Sequence, residues 1–151
     1  MNKVEQYEEE QREKEQTLTV WDYIRRGNRA YEEGRQQVAM NEYTKAIELD
    51  PNCAGAYNNR GIVYDDLGQH EKAIKDHDKA IELDPNHADA YNNRGIVYEN
   101  LKKYAKAIED YARAIQLNPK YKKAYLNRAR VYSVIGEKAL AEADRKKAEE
   151  L

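Results

Sequence analysis

Phenylalanine is absent from this 151-residue chain, and tryptophan, cysteine and proline are scarce, with one, one and three copies. The lone cysteine, Cys53, excludes an internal disulfide framework and a cysteine-rich zinc site. No apolar run approaches the roughly 18 residues that a membrane span requires. The N-terminal stretch MNKVEQYEEEQREKEQ lacks the apolar core of a secretory signal. A one-sign charge excess is also missing, because 26 basic and 28 acidic side chains leave a net charge of −2. Neither nucleic acid nor an anionic membrane is therefore the expected partner. The expected setting is cytoplasmic and reducing.

Catalytic patterns are missing as well. There is no glycine-rich phosphate loop and no nucleophile elbow. His70, His77 and His87 show no metal-ligand spacing. His77 reads as a packed ring, Cys53 as an incidental thiol in a turn, and the Asp65–Asp66 pair as a solvated face. The chain is expected to be non-enzymatic, with no cofactor and no metal.

What the chain has in quantity is repetition, the first thing to look for because it decides the fold. Pro51, Pro85 and Pro119 are 34 residues apart, as are Tyr23, Tyr57, Tyr91 and Tyr125. Gly27, Gly61 and Gly95 share that spacing, with Ala129 in the fourth slot. Ala39, Ala73, Ala107 and Ala141 make a further column, and Ala46, Ala80, Ala114 and Ala148 another. Segments 54–87 and 88–121 are identical at 19 of 34 positions, and YNNRGIVY at 57–64 recurs unchanged at 91–98.

Each unit carries two stretches of helical periodicity. In the second, Ala56, Tyr57, Gly61, Val63 and Tyr64 mark one face, Gly68 interrupts, and Ala73, Ile74, His77, Ala80, Ile81 and Leu83 mark the next. Asp84-Pro85-Asn86 ends the unit, because a residue before proline is pushed out of the helical region. No segment alternates with period two for long enough to be a strand. One such hairpin cannot bury its apolar face alone, so the units must stack. The expected fold is all-α: an α-solenoid of four stacked antiparallel helix pairs at 20–53, 54–87, 88–121 and 122–151, forming a right-handed superhelix with one continuous core. Residues 1–19, with three basic and six acidic side chains, are expected to be a charged extension. The polar outer face of the last helix is expected to cap the stack.

Numbering each unit from its first residue, the second supplies Tyr57, Gly61, Tyr64, Ala73, His77, Ala80 and Pro85 at places 4, 8, 11, 20, 24, 27 and 32. The third supplies Tyr91, Gly95, Tyr98, Ala107, Tyr111, Ala114 and Pro119. On these columns the chain resembles the tetratricopeptide repeat family over about 20–151. His77 departs from the aromatic at place 24, Ala30 from the tyrosine at place 11, and Arg145 stands at place 24 of the fourth unit.

The resemblance implies a concave groove lined by places 2, 5, 6, 9, 12 and 13 of the first helices. Carried over, it gives Asn28 in the first unit and Asn58, Asn59, Ile62, Asp65 and Asp66 in the second. The third unit gives Asp89, Asn92, Asn93, Ile96 and Glu99, and the fourth Lys123, Asn127 and Arg130. Asn59, Asn93 and Asn127 recur at place 6. One side-chain amide per repeat suits the successive peptide groups of an extended ligand, and it equally suits bonding between neighbouring helices. Asp65, Asp66, Asp89 and Glu99 make the middle of this groove acidic, and Lys123 and Arg130 make one end basic. The resemblance thus implies a scaffold binding another protein's extended segment of basic or mixed charge, with no nucleic acid and no membrane involved. The alternative is self-association into a homo-oligomer through the terminal helices or the N-terminal arm.

A chaperone-tail adaptor is a further reading. In such relatives Lys and Asn stand at places 5 and 9, Asn at 6 of the next unit, then Lys at 2 and Arg at 6. The two registers give Ile24, Asn28, Asn59, Asp89, Asn93 and Asn58, Ile62, Asn93, Lys123, Asn127, with two matches each. That clamp is incomplete. Arg26, Arg60, Arg94 and Arg128 at place 7 read as buried stems with heads paired to nearby carboxylates or carbonyls.

Overall fold

The computed structural model describes residues 2–151, the side chains of residues 15 and 16 aside. Residue 1 of the expected 1–19 extension therefore lies outside the described residues. Among the described residues there is no strand. The chain divides into two compact units, the first ending at Asn52 and the second spanning Cys53–Leu151.

The first unit holds α1 (Lys3–Gln16), α2 (Val20–Glu32) and α3 (Gln36–Leu49). Every described side chain of α1 is exposed except the half-buried Gln11. Glutamates dominate that helix, and its only large apolar side chains, Val4 and Tyr7, are exposed. α2 begins at a capping box: the Asp22 N–H donates to Thr19 Oγ1 (3.3 Å), and the Thr19 N–H donates to Asp22 Oδ2 (2.9 Å). The Thr19 N–H, then the Thr19 hydroxyl and the Arg25 guanidinium, all donating to the Asp22 carboxylate, hold its pKa down at about 2. α2 packs on α3 through Tyr23, Ile24, Gly27 and Ala30 against Ala39, Tyr43 and Ala46.

The second unit is a stack of three helix pairs. They are α4 (Ala54–Asp66) with α5 (His70–Leu83), α6 (Ala88–Asn100) with α7 (Tyr104–Leu117), and α8 (Lys122–Val134) with α9 (Lys138–Glu149). α5 packs on α6 and α7 on α8, while α4, α6 and α8 touch side by side. The alanine columns of α5, α7 and α9 are at most 1% exposed, so these backbones approach closely. The proline columns fall in the turns between pairs. There Asp84 Oδ1 accepts from the Asn86 N–H (3.1 Å), and Asn118 Oδ1 from the Lys120 N–H (3.1 Å), a side-chain turn that stops the helix before the next begins.

Within each pair the two helices cross at residues 16 apart. Gly61 faces the His77 ring, and a Cβ there would lie 2.8 Å from its Cε1. Gly95 faces Tyr111 in the same way, at 2.7 Å. Where the facing residue is Arg145, exposed and not a ring, the first helix carries Ala129. One residue earlier, arginine forks onto an aspartate. Arg60 donates from Nε and Nη2 to Asp76 (2.8 and 2.9 Å), Arg94 to Asp110 (2.8 and 2.7 Å), and Arg128 to Asp144 (2.8 and 2.8 Å). These bonds raise Arg60 and Arg128, and the Asp110 bond raises Arg94, so all three remain cations. Each guanidinium also lies between two tyrosine rings, such as Tyr57 and Tyr64 around Arg60, at 5.7 Å from both centroids. In the first unit Arg26 is exposed and Glu42 stands at the aspartate's place.

His77 is 1% exposed. Its Nδ1 lies 3.1 Å from Asn58 Oδ1, an acceptor, so the proton sits on Nδ1. Nε2 is buried without a partner. Burial, with Arg94 and His87 nearby, pushes this imidazole down to about 3.

Two predictions follow from this packing. Gly95→Ala gains helix propensity yet overpacks Tyr111, and should destabilise by about 1–3 kcal/mol, read by urea unfolding. Gly55→Ala meets nothing within 4 Å and should stabilise by up to about 1 kcal/mol. Equal signs for the two would refute the close-approach account. His77 binds its proton more weakly folded than unfolded, so its stabilising effect is full above its unfolded value near 6.5 and is lost as pH falls toward 3. Stability should drop by up to about 1.4 kcal/mol per pH unit in that window, and His77→Tyr should remove this part of the slope in a pH series of unfolding curves.

Candidate functional site

The face formed by α4, α6 and α8 carries most of the residues expected to line a groove, and hydrogen bonds between neighbouring repeats knit it together. The Asn93 amide Nδ2 donates to Asn58 Oδ1 (3.1 Å), and Asn127 Nδ2 donates to Asn92 Oδ1 (3.0 Å). The place-6 asparagine of one repeat thus bonds the place-5 asparagine of the repeat before it. Asn58 and Asn92 are buried, 5% and 2% exposed, and lie beneath the face. Asn93 and Asn127 are half-buried above them, and these bonds use one N–H of each. Asn59 is half-buried and has a partner of its own.

The carboxylates of this face are also engaged. Glu99 accepts two bonds from Arg130, at 2.6 and 2.9 Å, and a third from the Tyr111 hydroxyl at 2.7 Å. Glu99 thereby raises Arg130, while burial and then Glu99 push the Tyr111 phenol far above its ordinary range. Asp65 bonds His70 Nδ1 (2.6 Å) and accepts from Asn100 Nδ2 (3.0 Å). Asp89 accepts from the Tyr121 hydroxyl. Asp66 is exposed with a partner, and Lys123 is exposed. Ile62 and Ile96 are half-buried, and Ile96 packs against the core of Ala107, Tyr111 and Val131. Asn28 lies in the first unit, where Tyr43 donates its hydroxyl to Asn28 Oδ1 (2.7 Å).

Sequence reasoning missed the partners. The signal was a spacing of 35, one repeat plus one residue, which joins Asn58 to Asn93, Asn92 to Asn127 and Asp65 to Asn100. The expected pairing of the arginine column holds for Arg60, Arg94 and Arg128, each with a carboxylate 16 residues on.

A cleft of about 630 Å³ lies elsewhere, between α6 and α7, lined by Tyr91, Tyr98, Lys106 and Arg113 among others. Its cations are already stacked on its rings, Lys106 at 5.4 Å from the Tyr98 centroid and Arg113 at 5.8 Å from that of Tyr91. Among the described residues, no group of three or more His, Cys, Asp or Glu is placed to hold a metal ion. No described helix is long and apolar enough to cross a membrane.

Comparison with known proteins agrees with this architecture. The family model described as tetratricopeptide repeat matches residues 54–87 and 88–121, and a second, described as TPR repeat, matches 27–68. The crystal structure of MamA is 30% identical, over 87% of this chain and 77% of that one, with a TM-score of 0.78. The Arabidopsis OM64 TPR domain is 31% identical, over 77% of this chain and 96% of that one, with a TM-score of 0.74. The first TPR of Spaghetti (RPAP3), bound to the HSP90 peptide SRMEEVD, is 26% identical, over 78% and 93%, with a TM-score of 0.74. No curated protein matches the chain. With its 34-residue columns, its helix pairs and these matches, the chain belongs to the tetratricopeptide repeat family.

Proposed function

We propose that this protein is a non-enzymatic scaffold that holds an extended peptide segment of another protein along the face of α4, α6 and α8. The carrying observation is the row of half-buried amides, Asn59, Asn93 and Asn127, one on each successive helix. The bonds that Asn93 and Asn127 make to the repeat before use one N–H each. The second N–H and the carbonyl oxygen of each are left to pair with the peptide groups of a strand-like ligand. A similar repeat domain bound to the peptide SRMEEVD supports a peptide as the class of ligand. The reading takes 20–53, 54–87, 88–121 and 122–151 as the repeat units and 1–19 as a charged extension, and assigns binding to the face of α4, α6 and α8.

The face offers less net charge than its composition implies. Glu99 and Arg130 satisfy each other, Asp65 is tied to His70 and Asn100, and Asp89 to Tyr121. Main-chain pairing therefore supplies the affinity. Charge acts at the margin, through the exposed Lys123, where solvent screens it. A segment of mixed charge fits this balance.

The test is selection of extended peptides from a displayed random library, followed by affinity measurement on purified protein. Replacing Asn93 and Asn127 by alanine should weaken binding about 5–10-fold each, near 1 kcal/mol per lost hydrogen bond. Urea unfolding should confirm that both variants remain folded at the assay temperature. Affinities unchanged in the folded variants would refute the amide ladder as the binding element.

A further inference from the structure

The near-zero net charge conceals an uneven distribution. Residues 1–87 carry 12 basic and 19 acidic side chains, whereas residues 88–151 carry 14 basic and 9 acidic. The first part is net −7 and the second net +5. The two ends differ in sign: 1–19 is net −3 and 122–151 is net +3. A charge asymmetry of this kind in one chain points to a partner of opposite sign for each part.

Both ends also expose large apolar side chains. On α1, Val4 and Tyr7 are 65% and 64% exposed, one helical turn apart, and Glu5, Glu8, Glu9, Glu10 and Glu13 around them are all exposed. Among the described residues neither α2 nor α3 packs against α1. On the last hairpin, Val134, Ile135 and Leu140 are 58%, 44% and 47% exposed, and Lys138, Lys146 and Lys147 are exposed on the same pair of helices, interspersed with exposed Glu137, Glu142, Glu149 and Glu150, of which Glu150 pairs with Lys147 (3.8 Å). Isolated exposed apolar residues need no explanation. Here an acidic helix with an uncovered apolar pair and a basic hairpin with an uncovered apolar group share one chain.

We propose that the acidic helix α1 of one copy docks on the exposed flank of α8 and α9 of a second copy. The occupant is a second copy because the chain itself carries both complementary surfaces. The joint is head-to-tail, using a different surface on each partner, so it builds an open chain of copies or a closed ring, not an isologous dimer. A 14-residue helix covers less than a standard interface, so the contact is weak, and its charges set its salt dependence. Of the residues named for this joint only Val134, at place 13 of α8, belongs to the groove-lining places, while Ile135, Leu140 and the three lysines lie outside them, so assembly and peptide binding are read separately.

Sedimentation equilibrium of the full chain tests this. At about 20 mM salt the weight-average mass should rise above one chain with concentration, and it should fall back toward one chain at about 500 mM salt, where the screening length is several-fold shorter. Reversing the arm (Glu8, Glu9 and Glu13→Lys) should hold the mass at one chain, and so should reversing the tail (Lys138, Lys146 and Lys147→Glu). Combining both reversals in one chain should restore assembly, a result that a merely misfolded variant would not give. Three outcomes overturn the proposal. They are a wild-type mass of one chain up to about 1 mM at low salt, assembly that ignores salt and both reversals, and assembly lost with one reversal but kept with the other.

Discussion

Everything in the second unit depends on what meets at the crossing of two helices within a pair. Two helices can approach closely only where the side chains between them are small on one side. Gly61 beneath His77 and Gly95 beneath Tyr111 meet that condition, each at a separation of 16 residues. The neighbouring position closes the hairpin electrostatically, with Arg60, Arg94 and Arg128 forked onto Asp76, Asp110 and Asp144. A buried ion pair is weak evidence for net stability, but it is selective, since losing one partner leaves an uncompensated charge. Arg94 extends the effect to the preceding hairpin through Asp78 on α5, 2.7 Å away. The ring fixes how close the helices come, and the fork fixes their register.

The crossing explains departures that are unexplained as single residues. Ala129 replaces glycine where Arg145 replaces the ring, because without a ring overhead a methyl group fits and favours the helix. His77 replaces tyrosine and keeps its place by giving its Nδ1 proton to Asn58, whose carbonyl also receives the Asn93 amide. That chain ties a buried ring to the inter-repeat seam. The remaining Nε2 is buried without a partner, and that burial, with Arg94 and His87 nearby, lowers the imidazole pKa.

Much of the fold was legible because a repeat of 34 aligns equivalent residues, and equivalence reveals helices, turns and small-residue columns. Contact is a different relation. Residues that touch within a pair are 16 apart, and the amides that touch between repeats are 35 apart, so neither shows as a column. The arginine column could be read as needing carboxylates, yet the partners at 76, 110 and 144 stood in another column of the same alignment. The groove suffered most from this. Its members could be named, but not that Asn58 and Asn92 are buried, nor that Glu99 and Arg130 cancel each other. The uneven charge of the two ends was equally present in the sequence, hidden by a total that sums to −2.

These commitments bear on how a repeat surface can bind anything. A side chain that joins two repeats is held in one orientation before a ligand arrives, so little rotamer entropy is lost when the ligand binds. The same bond consumes hydrogen-bonding capacity. An amide is suited to both tasks, because it has two N–H groups and a carbonyl oxygen, and one bond to the neighbouring repeat leaves two valences for a peptide. A hydroxyl in that place has a single proton to donate, and a carboxylate has none. Asparagine is a poor helix former, and its recurrence at 93 and 127 is intelligible on these terms: each fastens its repeat to the one before and, on the proposed reading, still has a pre-oriented amide for a chain lying across it.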